Sequence, residues 1–139
     1  MRKTLSLLMF AAVLISPLAF STEENTIRLV CNYTHTIDYH LQISGTTGED
    51  LITVVYSKNG SAAIKKQDSG GEFSGVVNDE EIYGERSYHM QISKAHETFH
   101  ETLLINRYTG SFKMTFGAEG KEGGLIHYGK CKQATDKLF

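Results

Sequence analysis

The sequence predicts an all-β fold, a single antiparallel small barrel or sandwich of about seven or eight strands. Three observations lead to this prediction. Apolar and polar residues alternate through much of the 139-residue chain, glycine-rich turns separate the alternating segments, and no long helical period follows the first twenty or so residues. Glycine (13 residues) and tyrosine (7 residues) are abundant and tryptophan is absent, which also favours strands and turns.

The first 21 residues resemble an export signal that is removed after transport. The basic start Met1-Arg2-Lys3 precedes an apolar stretch from Leu5 to Phe20, and Ala19-Phe20-Ser21 presents small residues at the positions that a signal peptidase reads. The apolar stretch is too short and too interrupted to span a bilayer comfortably. We therefore expect residues 1–21 to be a bacterial signal peptide and residues 22–139 to form one β-domain, periplasmic or secreted, with no membrane span.

The charge and motif content limit the class of function. From residue 22 onward, twelve lysines and arginines stand against sixteen acidic residues, which gives a net charge of −4. A mildly acidic chain without a basic run argues against a nucleic-acid partner. The sequence contains no Ser/His/Asp arrangement with a nucleophile elbow and no phosphate-binding glycine loop, so we expect no cofactor.

The alternating segments predict the strands in chain order. Each has apolar residues at every second position, which turns one face inward and the other outward: Ile27 to Tyr33, Tyr39 to Ile43, Ile52 to Tyr56, Tyr88 to Ile92 and Phe112 to Phe116. Turn-forming residues separate the segments: Gly45 to Gly48, Lys58 to Gly60, Asp68 to Gly71 and Gly117 to Gly124. Short strands at this spacing are typical of antiparallel sandwiches and small barrels.

An internal echo relates two parts of the domain. Tyr39-His40-Leu41-Gln42-Ile43-Ser44 recurs as Tyr88-His89-Met90-Gln91-Ile92-Ser93, five identities in six at an offset of 49 residues. The match continues from Thr53-Val54-Val55 to Thr102-Leu103-Leu104, and a turn follows in both copies. The echo predicts that the fold is built from two related β-meanders.

The echo also pairs two histidines. His40 and His89 occupy equivalent positions, each beside a tyrosine that we place inward. Alternation then directs both imidazoles outward, where they would be solvated. A surface metal site or a pH-sensing pair is the alternative.

The two cysteines predict a structural crosslink. Export would place Cys31 and Cys131 in an oxidising compartment, where two thiols in a small domain usually pair. They lie near the two ends of the mature chain, so a disulfide between them would stabilise the fold by roughly 4–5 kcal/mol. The alternative is a redox-active pair, which the missing Cys-x-x-Cys spacing disfavours.

One segment matches a catalytic motif. His96-Glu97-Thr98-Phe99-His100 fits the H-E-x-x-H pattern of zinc peptidases, in which a helix brings both imidazoles to the metal and the glutamate activates a water. On a strand the two histidine Cα atoms would be about 13 Å apart, too far for one zinc ion. The segment leads into the counterpart of strand residues 50–54, and only Glu119 and Glu122 offer a third ligand. We therefore expect a strand here, no metal and no catalytic residues.

The C-terminal part resembles a known group of proteins. Ile105-Asn106-Arg107-Tyr108-Thr109-Gly110, the strand from Phe112 to Phe116 and the closing Gly129-Lys130-Cys131 are similar to the C-terminal hairpin of small secreted bacterial proteins without an assigned function. The resemblance covers about the last thirty residues. It implies an all-β, disulfide-closed, periplasmic domain and brings no catalytic residues. We expect Arg107 to brace the turn or a neighbouring strand, with a ligand-binding role as the alternative.

The leading functional hypothesis is a non-enzymatic periplasmic or secreted binding module. Its partner would be an envelope or secreted protein, and one concrete form is an inhibitor of a basic cell-wall hydrolase such as lysozyme, because an acidic surface steers towards a cationic protein. Two alternatives stay open. One is a zinc-dependent hydrolase that uses His96, Glu97 and His100. The other is a lipocalin-like carrier, although about 118 residues favour an interior filled by side chains.

Overall fold

The computed structural model describes residues 23–38, 42–44, 48–67 and 71–134. The expected signal peptide, residues 1–21, lies outside the described residues. Within them the chain forms strands and turns and no helix. The strands are β1 (Glu24–Asp38), β2 (Gln42–Ser44), β3 (Glu49–Ser57), β4 (Ser61–Lys66), β5 (Glu72–Val77), β6 (Glu81–Ile92), β7 (Ala95–Asn106), β8 (Ser111–Ala118) and β9 (Leu125–Gln133).

Eight of these strands close into an antiparallel barrel. The order in the sheet is β2-β1-β3-β4-β5-β6-β7-β8-β9, and β1 pairs with β9 as well, which joins the two sides of the sheet. The short β2 is an addition that pairs, among the residues described, with the end of β1 at Thr36 to Asp38. The predicted all-β barrel is therefore confirmed, and its closure removes the long free edges that an open sheet would leave.

The disulfide lies at the seam where β1 meets β9. Cys31 and Cys131 are direct partners in the β1–β9 register and form the predicted bond. The Cys31 side chain is fully buried. The bonded residues belong to the first and last strands of the barrel. The disulfide therefore stabilises the β1–β9 pairing that closes the barrel.

The interior is filled by the inward side of the alternating segments. In the register, Leu29 stands beside Ile52, and Val54 stands beside Ile64, so inward side chains form continuous rows across the strands. Burying each such side chain contributes about 1.5–3 kcal/mol relative to leaving it in water. The most completely buried apolar residues are Ile52, Val54, Ile64, Phe73, Ile82, Leu103, Ile105 and Phe112. This packing leaves the middle of the barrel occupied by the protein's own atoms.

The echo corresponds to equivalent hairpins in the two halves of the barrel. The β3–β4 hairpin and the β7–β8 hairpin hold matching residues, and both Val54 and its counterpart Leu103 have no exposed surface. The pairing of the preceding segments differs. Residues 42–44 form β2 and pair with β1, whereas residues 88–92 belong to β6 and pair with β7. Residues 39–41, which include His40, lie outside the described residues.

Removing the disulfide is expected to destabilise the fold strongly. A mature chain carrying Cys31→Ala and Cys131→Ala should lose about 4 kcal/mol of unfolding free energy, because a crosslink that closes a loop of this length restricts the unfolded chain. Urea denaturation followed by circular dichroism measures the loss. The reduced wild-type protein is the control and should unfold near the same urea concentration as the double variant. Equal stability of the oxidised wild type and the double variant would contradict the prediction.

Candidate functional site

The two ends of the barrel differ in their connections. We call the end that carries the β6–β7 connection the arm end; β4 ends there, β5 begins there, and the β8–β9 loop lies there too. We call the opposite end the turn end, because its β3–β4, β5–β6 and β7–β8 connections are short. Binding residues on β-scaffolds commonly lie on the connections at one end, and the arm end has the longer connections.

A two-stranded arm extends from the barrel at this end. The ladder between β5 and β6 ends at Glu85, and the backbone contacts between β7 and the β8 side begin at Thr98, whose carbonyl accepts a hydrogen bond from the Glu119 N–H; the strand ladder of residues 88–97 is therefore formed within the arm. A two-residue turn joins the strands of the arm, and Ser93 in it adopts a positive φ of 57°. A positive φ at the first position of a two-residue turn matches the twist of an antiparallel pair.

One face of the arm is mainly apolar, and it also carries Glu97, which stands opposite Met90 and pairs with Lys121; the other face is polar. Tyr88, Met90 and Ile92 alternate along β6, and this face continues the inward side of the barrel. Beyond the barrel rim the face lies open, because the Met90 and Ile92 side chains keep 44% and 45% of their surface exposed. At the base of the arm Tyr88 stacks on Phe99 and Phe99 stacks on Phe116, with ring centroids 5.8 and 5.2 Å apart. The aromatic stack therefore anchors the arm to the barrel.

The H-E-x-x-H segment is a β-strand that lies partly in the arm and partly at the base of the arm. Residues 96–100 belong to β7, as expected, so the Cα atoms of His96 and His100 are about 13 Å apart. The imidazole of His100 contacts Ser87 Oγ through Nδ1 (2.6 Å) and lies 3.8 Å from a Glu119 carboxylate oxygen. Glu97 pairs instead with Lys121. Among the described residues no group of three or more His, Cys, Asp or Glu side chains converges as a metal site.

His89 lies on the polar face of the same arm. It is exposed, and its Nδ1 atom is 2.9 Å from Thr98 Oγ1 on the paired strand. Its outward direction agrees with the alternation. His40, its counterpart in the echo, falls outside the described residues, and Glu122 is exposed in the loop between β8 and β9.

Below the arm, the barrel interior contains a buried ion pair. Lys66 Nζ lies 3.0 Å from Asp50 Oδ2, and the two side chains keep only 10% and 8% of their surface exposed. The Tyr33 hydroxyl donates a hydrogen bond to the same carboxylate oxygen, and Lys66 also approaches Met114 Sδ at 3.6 Å. A buried charge is tolerated only when it is paired and hydrogen-bonded, and this cluster meets both conditions.

A second ion pair lies in the same layer. Arg86 Nε donates to Glu101 Oε2, and both side chains are largely buried. The guanidinium also lies 4.6 Å above the centre of the Phe73 ring, a cation–π geometry. Tyr88 donates a hydrogen bond of 3.3 Å to the other oxygen of Glu101. Burial, together with the charge and hydrogen bond of Glu101, raises the pKa of Tyr88.

His127 completes this polar layer. Its Nδ1 atom is 2.6 Å from Thr36 Oγ1, and its ring lies 5.2 Å from the ring of Tyr33. Burial lowers the pKa of His127, and the positive charge of Lys66 lowers it further against the opposing effect of the carboxylates of Asp50 and Glu101. The imidazole therefore favours its neutral form inside the barrel.

Sequence reasoning missed the charged residues of this layer. The predicted inward rows contain apolar residues alone, whereas in the structure charged residues continue the same rows at a spacing of two. The signal was present as Asp50 two residues before Ile52, Lys66 two after Ile64, Arg86 two after Gly84, and Glu101 two before Leu103. An acid or base at an inward position of a barrel strand predicts a buried partner of opposite charge.

Chemically, the arm end offers surfaces for contact. The inward carboxylates of Asp50 and Glu101 are each neutralised by a cation, and the two histidines of the motif are held apart by the strand.

No protein-family model, no curated protein and no solved structure matches this chain. The described residues contain no helix that is long and apolar enough to cross a membrane. The role of this end therefore has to be argued from its own residues.

Breaking the buried pair on one side is expected to be costly. Lys66→Met leaves the Asp50 carboxylate buried without its cation and should lower the unfolding free energy by about 3–5 kcal/mol at neutral pH. Adding Asp50→Asn, which can still accept the Tyr33 hydrogen bond, should recover most of the loss. The matched control is Lys65→Met, since Lys65 is exposed and only faces Glu72 at 3.3 Å. Equal effects of the two lysine changes in urea denaturation would show that the buried pair is not needed.

His127 makes the stability depend on pH. Because the pKa of His127 is lowered in the folded chain, the unfolded chain binds the proton more readily below the ordinary histidine pKa of about 6.5. The contribution of neutral His127 to the unfolding free energy should therefore be fully present above that pH and decline as the pH falls towards the lowered pKa. His127→Asn should flatten this decline in urea denaturation series between neutral and mildly acidic pH. The control His89→Asn alters an exposed histidine with a similar threonine contact and should keep the wild-type slope.

Proposed function

We propose that the protein is a non-enzymatic binding module of the bacterial envelope or its exterior, and that the β6–β7 arm is the part that contacts a protein partner. The observation that carries this proposal is the open apolar face of the arm. Met90 and Ile92 project beyond the barrel rim on a preformed hairpin. Exposed apolar side chains at the tip of a rigid element are typical of surfaces that become buried in a complex.

The environment of the arm supports a protein as the partner. Methionine adapts its shape to an opposing surface, and isoleucine buries a large apolar area. The base of the arm is fixed by the stacked rings of Tyr88, Phe99 and Phe116, so little flexibility would be lost on binding. A second element, the β8–β9 loop, is tied to the arm through Lys121 and Glu97 and could contact the same partner.

Charge favours a basic partner. The chain from residue 22 onward carries a net charge of −4, and the arm end includes the exposed carboxylates of Glu119 and Glu122. Opposite net charges accelerate association and disfavour acidic competitors. A basic cell-wall hydrolase such as lysozyme carries the opposite charge and acts outside the cytoplasm. The amino-terminal segment and the disulfide support the same location for this chain.

Shortening the apolar face of the arm tests this function. The mature wild-type protein in molar excess is expected to inhibit the lysis of bacterial cells by lysozyme. Met90→Ser combined with Ile92→Ser should weaken inhibition at least tenfold, because each truncation removes an apolar contact of roughly 1 kcal/mol or more. The matched control, Leu51→Ser with Val76→Ser, alters two apolar residues exposed on the barrel strands and should leave inhibition unchanged.

Two outcomes would count against the proposal. Unchanged lysozyme activity in a molar excess of the wild-type protein would exclude this hydrolase as the partner. Equal inhibition by the arm variant and the control variant would exclude the arm as the contact surface. Thermal unfolding of both double variants verifies that each remains folded, since the replaced side chains are exposed and should alter stability little.

A further inference from the structure

The turn end of the barrel contains a cavity that the proposed protein contact does not use. It has a volume of about 400 Å³ and opens between the β7–β8 turn and the ends of β1, β3, β6 and β9. Leu29, Ile82 and Ile105, each less than 9% exposed, are among the apolar residues that line it. Pockets that hold small molecules have volumes of about 300–1,000 Å³ and commonly lie in the mouths of β-barrels. The size and place of this cavity therefore suit a small ligand.

The turn at the rim of the cavity is held in one conformation. Asn106 Oδ1 accepts hydrogen bonds from the backbone N–H groups of Tyr108 (3.0 Å) and Thr109 (2.8 Å) and from the Thr109 hydroxyl (3.0 Å). The Gly110 carbonyl accepts a bond of 2.7 Å from the Cys131 N–H, which ties the turn to β9. Gly110 has a φ of 69°, and a Cβ there would lie 2.3 Å from the Cys131 carbonyl oxygen. The turn is thus preorganised, so a ligand need not order it.

Arg107 supplies a positive charge to the lining. Its Nη1 atom donates a hydrogen bond to the Asn78 carbonyl, which braces the neighbouring β5–β6 turn as expected for this residue. A guanidinium has five N–H donors, so most of them remain available. Among the ion pairs of the described residues none involves Arg107, and the nearby acids of that turn, Asp79 and Glu80, are exposed to solvent.

Two tyrosines complete the lining. Tyr56, half-buried on β3, and Tyr108, which keeps 77% of its surface exposed on the turn, both border the cavity. Phenol rings offer flat apolar contact together with a polar tip. The surface that a ligand can reach therefore combines two aromatic rings, polar groups of the β7–β8 turn and one cation, a set that matches a flat apolar body bearing one negative charge.

We propose that the turn-end cavity binds a small organic carboxylate with an aromatic or short aliphatic body, whose carboxylate pairs with Arg107 and whose body packs against the rings of Tyr56 and Tyr108. A guanidinium and a carboxylate form paired, charge-assisted hydrogen bonds, and a single guanidinium suits a single anionic charge. The site lies at the opposite end of the barrel from the arm, so it is a second binding function and does not depend on the first.

Titration with a matched pair of ligands tests the site. The probes are 4-phenylbutyrate and its uncharged amide, 4-phenylbutanamide, added to the isotope-labelled mature protein with its disulfide intact. The carboxylate is expected to shift the amide resonances of residues 108–110 and to bind at least tenfold more tightly than the amide. Equal affinity of the two probes, or no shift at millimolar carboxylate, would overturn the proposal.

Variants separate the charge from the cavity. Arg107→Gln should weaken carboxylate binding at least tenfold, and Arg107→Lys should restore part of it because the charge returns without the planar fork. Gln133→Trp, at a lining residue, should block binding by filling the mouth while Arg107 stays in place. The control Lys65→Gln removes one exposed cation from the β4 strand and should leave binding unchanged. If Arg107→Gln binds as the wild type does, the assignment of the carboxylate to Arg107 fails, and dispersed amide spectra confirm that each variant is folded.

Discussion

The pairing of β1 with β9 is the constraint on which the rest of the structure depends. β1 is fifteen residues long and serves two neighbours, β3 along Glu24 to Asn32 and β9 along Leu29 to Asp38. The backbones approach closely at this seam, since a Cβ on Gly129 would lie 2.2 Å from the Asn32 carbonyl oxygen. Without the seam the sheet would have two long free edges, and the inward rows of side chains would face water on an open surface.

Closure also explains why charged residues can occupy the interior. Near the turn end the barrel is filled by aliphatic and aromatic side chains, whereas at the arm end the same inward rows continue as Asp50, Lys66, Arg86 and Glu101. Asp50 on β3 pairs with Lys66 on β4, and Glu101 on β7 pairs with Arg86 on β6. The charges of these four residues therefore sum to zero. Buried ion pairs add little stability over an apolar filling, but they penalise any shift of register that would separate the partners. The layer therefore specifies the alignment of β3 with β4 and of β6 with β7.

Much of the fold could be predicted from the sequence because alternation determines which side of a strand is buried. The segments from Ile27 to Tyr33 and from Ile52 to Tyr56 direct their apolar residues inward as the pattern indicates, and the cysteine pair was predicted from compartment and count. The H-E-x-x-H segment shows why a motif needs a conformation: the same residues that would bind metal on a helix are spread along β7. The arm was not predicted, since its open face depends on where β5 and β8 stop pairing, which is set by tertiary contacts. The turn-end cavity was not predicted either, because residues from five strands border it.

The two proposed sites are joined by one strand, and the middle of that strand keeps them independent. β7 runs from the tip of the arm to the turn beside the cavity, twelve residues or about 40 Å. Between the sites it is paired on both sides, with β6 and with β8, and Glu101, Leu103 and Ile105 fix it to the interior. Coupling between distant sites requires an element with two arrangements, and a strand that is paired on both edges and whose inward side chains are buried has one. A ligand in the cavity should therefore not alter the affinity of the arm, and the barrel serves as a rigid spacer that presents two surfaces in opposite directions.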